Sequence, residues 1–101
     1  QIVVTNGPFF TPMQPREKTE FSVSWIFQNV GGAKSDEFDV QLYLDAVKEG
    51  DEETVPEFEV GQSKNLSWNV KKELLSGTHV LELKRVSDGN SLSYYQFLVI
   101  P

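Results

Sequence analysis

A chain of 101 residues is long enough for one domain with its own core. Hydrophobic residues at 39% and aromatics at 12% are too many for a disordered segment, whereas 24% charged residues and a mean hydropathy of -0.34 mark a soluble protein. A net charge of -6 disfavours nucleic acid as a partner, the absence of any apolar run near the roughly 18 residues of a bilayer span disfavours membrane insertion, and zero Cys removes thiolate chemistry and disulfides together.

Period-two alternation dominates, and no helical stripe interrupts it. Ile2 to Val4 reads as a short first strand closed by the turn cluster Asn6-Gly7-Pro8. Phe9 to Pro15 then reads as an extended crossing segment on a sheet edge, with its phenylalanines or Met13 tucked beneath it. The clearest strand runs from Thr19 to Asn29, where Phe21, Val23, Trp25 and Phe27 share one face and Glu20, Ser22, Ser24 and Gln28 the other. Phe38 to Asp45 alternates in the same way, with Val40, Leu42 and Leu44 inward and Asp39, Gln41 and Tyr43 outward. Ala46 to Glu53 is expected to be an acidic loop around Gly50, and Thr54 to Val60 a strand confined to an edge by Pro56. Lys64 to Val70 places Leu66, Trp68 and Val70 on one face, and Lys71 to Gly77 is too short to stand as a helix and is taken as a connection. Thr78 to Val86 and Tyr94 to Ile100 complete the set, joined by the hairpin signal Ser87-Asp88-Gly89-Asn90. About seven strands at this spacing predict an all-β, immunoglobulin-like antiparallel β-sandwich without a disulfide, its strand order left open.

Charge is unevenly distributed. Residues 36 to 59 carry ten acids (Asp36, Glu37, Asp39, Asp45, Glu49, Asp51, Glu52, Glu53, Glu57 and Glu59) against one base, Lys48, a net of -9 that leaves the remainder at +3. The favoured reading is a solvated face that discourages self-association. Calcium is the one metal such hard oxygen ligands would suit, and Asp45, Glu49, Asp51, Glu52 and Glu53 would have to converge to hold it, but the Asp-x-Asp-x-Asp-Gly pattern is absent and no metal or cofactor is expected. His79 is the sole imidazole. Without a nucleophile elbow or phosphate loop it is read as structural, and the chain as non-enzymatic. An exposed aromatic platform for a glycan would draw on Tyr43, Tyr94 and Tyr95, with Gln41 beside Tyr43, because Trp25 and Trp68 fall on inward faces. Asn65-Leu66-Ser67 is a glycosylation sequon on an outward face.

Four segments in order resemble a known family. Glu20 to Ser35 with its Asn29-x-Gly31 turn, Phe38 to Asp45, Val60 to Trp68 with Gly61-x-Ser63, and Gly77 to Leu83 with Gly77-x-His79 resemble the CARDB domain, the cell-adhesion-related domain of bacteria and archaea. The resemblance spans roughly residues 18 to 88, and the stretch after Asp88 departs from the family's Glu- and Asn-rich ending. It implies a non-catalytic extracellular module, used as a spacer or adhesion unit beside neighbouring domains or attached to a secreted hydrolase, and it implies no particular surface protein or glycan as ligand. The start at Gln1 and the end at Pro101 add the expectation of a single domain over 1-101 excised from a longer chain.

Overall fold

Alternation along each strand decides which side chains can be enclosed, and in the computed structural model, which describes residues 1–101, it encloses them between two sheets. Strands β1 (Ile2–Thr11), β2 (Phe21–Asn29) and β5 (Ser63–Val70) form one sheet in the order β1-β2-β5. Strands β3 (Phe38–Leu44), β4 (Val47–Val55), β6 (Gly77–Arg85) and β7 (Ser91–Val99) form the other in the order β4-β3-β6-β7. All named pairings are antiparallel. The fold is therefore an immunoglobulin-like β-sandwich of seven strands with no helix.

Phe21, Val23, Trp25 and Phe27 of β2 face Val40, Leu42 and Leu44 of β3 and Leu81 and Leu83 of β6 within one cluster of 16 buried apolar side chains. A continuous core of this size accounts for stability without a crosslink. The alternation assigned to β2 and β5 is the one observed, and β3 follows it except at Gln41, with Leu66 and Trp68 packed partly buried against the core.

The first strand is longer than the sequence reading. Gly7 and Pro8 do not end it; β1 runs through them to Thr11, with irregular register between Val4 and Asn6 and between Asn6 and Phe9. An edge strand tolerates such bulges because one of its sides has no ladder to break. Gly7 is required there, since at φ +114° an added Cβ would lie 2.9 Å from the Trp25 ring and from the Ser24 carbonyl. Phe10 packs on the core, whereas Phe9 and Met13 are exposed.

The acidic loop proves to be a strand. Val47–Val55 forms β4, paired with β3 through a two-residue turn at Asp45 and Ala46, both at positive φ (51° and 66°). Its residues are exposed almost throughout, so period two leaves no signature in the sequence. The strand expected over Thr54 to Val60 ends at Val55, and Phe58, fully buried, lies in the irregular segment after it. Gln41, expected on the outward face, is only 4% exposed. The pairing slips where β4 bulges at Gly50, and the Gln41 Nε2 fills that gap, donating to the carbonyls of Leu42, Glu49 and Gly50 at 2.9, 3.2 and 3.2 Å.

Candidate functional site

The open side of the sandwich, where β4 and β5 end their respective sheets, carries a cleft of about 450 Å³. Glu49, Asp51 and Glu53 line it from β4, Ser67, Asn69 and Lys71 from β5 and the residue just beyond it, with Leu42 and Trp68 also in the lining. An aromatic ring beside carboxylates, an amide, a hydroxyl and an ammonium group can present one face to a ring and several hydrogen-bond partners to hydroxyls or amines. Sequence reasoning assigned Trp68 to the core. It is both: it meets Trp25 edge-on at 5.3 Å between centroids and also lines the cleft. Alternation alone gives no sign of this, because the opening arises where two sheet edges diverge.

The five acids considered for calcium are not a chelating loop. Asp45 occupies the β3–β4 turn and the other four lie along an extended strand, where no three ligating side chains come together.

His79 packs against Phe97 at the end of the sandwich near that turn. Its Nδ1 lies 2.6 Å from Asp45 Oδ2 and its Nε2 lies 2.7 Å from the Leu75 carbonyl oxygen, while Asp45 Oδ1 accepts the Val80 N–H at 2.8 Å. Both ring nitrogens meet acceptors, an arrangement that suits imidazolium and leaves neither nitrogen free as a base. Burial works against that charge, but the bonds to Asp45 and Leu75 outweigh it and raise His79 above the usual 6.5. Partial burial likewise pushes the Asp45 carboxyl up, and the bonds from His79 and Val80 overcome it, leaving the group below 3.8. A raised imidazole contributes stability fully below pH 6.5 and loses it as pH climbs through the folded value; a lowered carboxyl contributes above pH 3.8 and loses it as pH falls through its own. Asp45 is 40% exposed, so water screens the pair to about 1 kcal/mol or less. Thermal unfolding should accordingly occur a few degrees lower at about pH 9 than at about pH 6, and Asp45→Asn, which keeps an acceptor for Val80 and tolerates positive φ, should flatten that difference. An equal alkaline loss in the variant would show that the pair is not its source.

The tyrosines fall into two groups. Tyr43 and Tyr94 share the outer face of the four-stranded sheet in one cross-strand row, Tyr43 opposite Glu82 and Glu82 opposite Tyr94. Lys84 Nζ sits over the Tyr43 ring at 4.9 Å and Gln41 is committed to backbone carbonyls, so Tyr43 and Gln41 are already engaged within the protein, whereas Tyr94 is exposed. Tyr95 points the other way, 6.0 Å from Phe10 between ring centroids. Asn65 is exposed on β5, the outward position expected of it.

The CARDB family matches residues 3–91. Among solved structures, the CARDB domain of a Pyrococcus furiosus protein, in complex with di-metal ions, is similar with a TM-score of 0.72 and 15% identity over 99% of this chain and 93% of that one. An alkylpurine DNA glycosylase from Pseudomonas fluorescens, bound to DNA containing an abasic site analog, is similar at TM-score 0.61 and 15% identity, covering 99% of this chain but 30% of the glycosylase. A β-glucosidase from Listeria innocua in complex with gluconolactone is similar at TM-score 0.65 and 12% identity, covering 100% of this chain but 16% of the enzyme. This chain thus corresponds to under a third of the glycosylase and under a fifth of the glucosidase, and at these identities the likeness is one of fold. A search of curated proteins finds no match.

Proposed function

The chain belongs to the CARDB family, a family of non-catalytic interaction modules, and from that premise we propose that it is an extracellular spacer or adhesion module within a longer prokaryotic surface or secreted protein. The observation that carries this reading is the path of the chain. β1 begins beside Asn29, where Ile2 pairs with that residue, while Ile100 bonds Pro15 beyond the far end of β1. Entry and exit therefore lie at opposite ends of a body measuring 46 × 24 × 17 Å, and a neighbour on each side is held apart by its long axis. Ladders of antiparallel hydrogen bonds run along that axis, which makes the spacer stiff. Small-angle scattering of two copies joined end to end, measured at low concentration, should give a maximum dimension near twice the 46 Å axis. A compact pair no longer than one module would overturn the spacer reading.

The cleft favours a second reading, an accessory carbohydrate-binding module of a secreted hydrolase. Its support is the Trp68 ring set beside Ser67, Asn69 and the β4 carboxylates. Neutral oligosaccharides titrated into the protein should quench indole fluorescence and shift the Ser67 and Asn69 amides; an unchanged spectrum across a panel of glycans excludes it. The di-metal ions of the Pyrococcus furiosus domain have no counterpart in the proposal, because Glu49, Asp51 and Glu53 are spread along a strand and form no three-ligand group.

A further inference from the structure

We propose that the open edge of β7 is a homotypic contact, on which a second copy of this chain pairs antiparallel to join two four-stranded sheets into one of eight strands. Four strands end the two sheets: β1, β5, β4 and β7. β1 is bulged twice and contains Pro8, and β4 is bulged at Gly50 and carries Glu49, Asp51, Glu52 and Glu53. Both carry the features by which edges discourage added strands. β5 is regular, but it borders the cleft lined by Glu49, Asp51 and Glu53, so a second copy placed there would bring six carboxylates together. β7 slips in its register with β6 only at Leu92, near its start, and from Ser93 to Val99 it is regular. Its nine residues, Ser-Leu-Ser-Tyr-Tyr-Gln-Phe-Leu-Val, include no charge, no Pro and no Gly, in a chain with net charge -6.

The backbone is oriented for pairing. The Leu98 carbonyl accepts the Gln14 amide at 2.6 Å and the Ile100 N–H bonds Pro15, so even-numbered residues here turn their polar groups away from β6. Gln96 lies opposite Val80, whose own carbonyl accepts the Asp45 N–H on the other side of β6. By period two, Tyr94 and Gln96 direct N–H and C=O to the open edge. A two-fold axis at Tyr95 matches Tyr94 of one copy with Gln96 of the other, twice, and lays the two Tyr95 side chains against each other. Tyr95 is 45% exposed and Tyr94 66%, so both have surface to bury. Charge also selects a second copy. The net of -9 over residues 36 to 59 sits on and around β3 and β4, at the far side of the sheet from β7, and pairing through β7 keeps the two acidic edges at the outer ends of the combined sheet.

The segment from Gln14 to Glu17 caps β7 beyond Phe97, so the contact is short and belongs with weak, reversible interfaces below about 1,200 Å². The inference does not depend on the spacer reading. Sedimentation equilibrium should show the mass rising with concentration from 11.5 kDa toward twice that value, more readily in added salt, which screens the repulsion between two chains of net charge -6. Amide exchange at Tyr94 and Gln96 should slow roughly tenfold as the dimer fills, while Phe97, which faces β6, is protected throughout. Gln96→Pro, which removes an open-edge donor, and Gln96→Lys, which places two ammonium groups near the axis, should each restore the monomer with unfolding temperatures showing that both fold. A monomer at every concentration, a dimer in which the Tyr94 and Gln96 amides exchange unchanged, or a dimer that survives folded Gln96→Lys would overturn the proposal.

Discussion

Replacing Trp25 with Ala lowers the unfolding free energy by about 3–5 kcal/mol, the range expected when a large aromatic is removed from a closed core. Trp25 is 0% exposed and stands on the central strand of its sheet, between β1 and β5. Its ring meets Trp68 edge-on at 5.3 Å, and its Nε1 donates to Ser93 Oγ at 3.0 Å across the gap to β7 of the opposite sheet. Above it the chain passes so close at Gly7 that a side chain there would strike the indole. The surroundings are backbone and two sheets, which cannot collapse into the void, so the upper part of that range applies. Small domains hold about 5–15 kcal/mol in all, and chemical denaturation of the variant should show a midpoint shift large enough to leave some of the protein unfolded at rest. Trp25→Phe keeps most of the apolar area and deprives Ser93 of its donor, for a smaller loss of about 1–2 kcal/mol. A loss below about 1 kcal/mol for Trp25→Ala would mean that the core relaxes into the space, against the packing described.

Trp25 and its neighbours on β2 were legible in the sequence because a strand buried on one face writes period two in its residues. β4 was not, because an edge strand with both faces in water has nothing to alternate; its acids read as a loop, and its turn, Asp45-Ala46, lacks the Asn-Gly or Asp-Gly pair that announces a tight hairpin. What holds Asp45 in that turn is a set of bonds to His79 and Val80, contacts 34 and 35 residues away that no local reading contains. The same limit hid the cleft. Trp68 was correctly assigned an inward face, but whether an inward ring at a sheet edge is sealed depends on how far the other sheet reaches, and here β4 leaves it partly open. Gln41 failed for the opposite reason, since the β4 bulge that captures its amide is a register defect between strands.

Asn29 was read from the sequence as a turn former, and the structure gives it a larger task, which Asn29→Ala will expose as a loss of about 2–4 kcal/mol. The residue is 1% exposed at the end of β2. Its Oδ1 accepts from the Gln1 backbone nitrogen at 2.9 Å and from the Gly31 N–H at 3.0 Å, while its Nδ2 donates to the carbonyls of Ala33 at 2.8 Å and Phe58 at 3.2 Å. One amide thus ties together the start of β1, the loop after β2 and the segment carrying buried Phe58. Truncation removes four bonds at once and leaves the half-buried Gly31 N–H without its acceptor, while the Phe58 carbonyl keeps the Ser35 N–H; a polar group enclosed without a partner costs more than the bond itself contributed. Asn29→Asp separates the two halves of the argument. The carboxylate keeps an acceptor for Gly31 but turns oxygen toward the Ala33 and Phe58 carbonyls, so burial and repulsion raise its pKa and the ionised form is disfavoured. By linkage that variant loses stability as pH rises through the carboxylate's unfolded value, and it should lie closer to the parent at about pH 4 than at about pH 7, whereas Asn29→Ala should show the same deficit at both. Denaturant midpoints of the two variants at the two pH values decide it: an Asn29→Ala protein within about 0.5 kcal/mol of the parent, or an Asn29→Asp protein without pH dependence relative to it, would show that water satisfies these groups and that the amide is not what fastens this end of the sandwich.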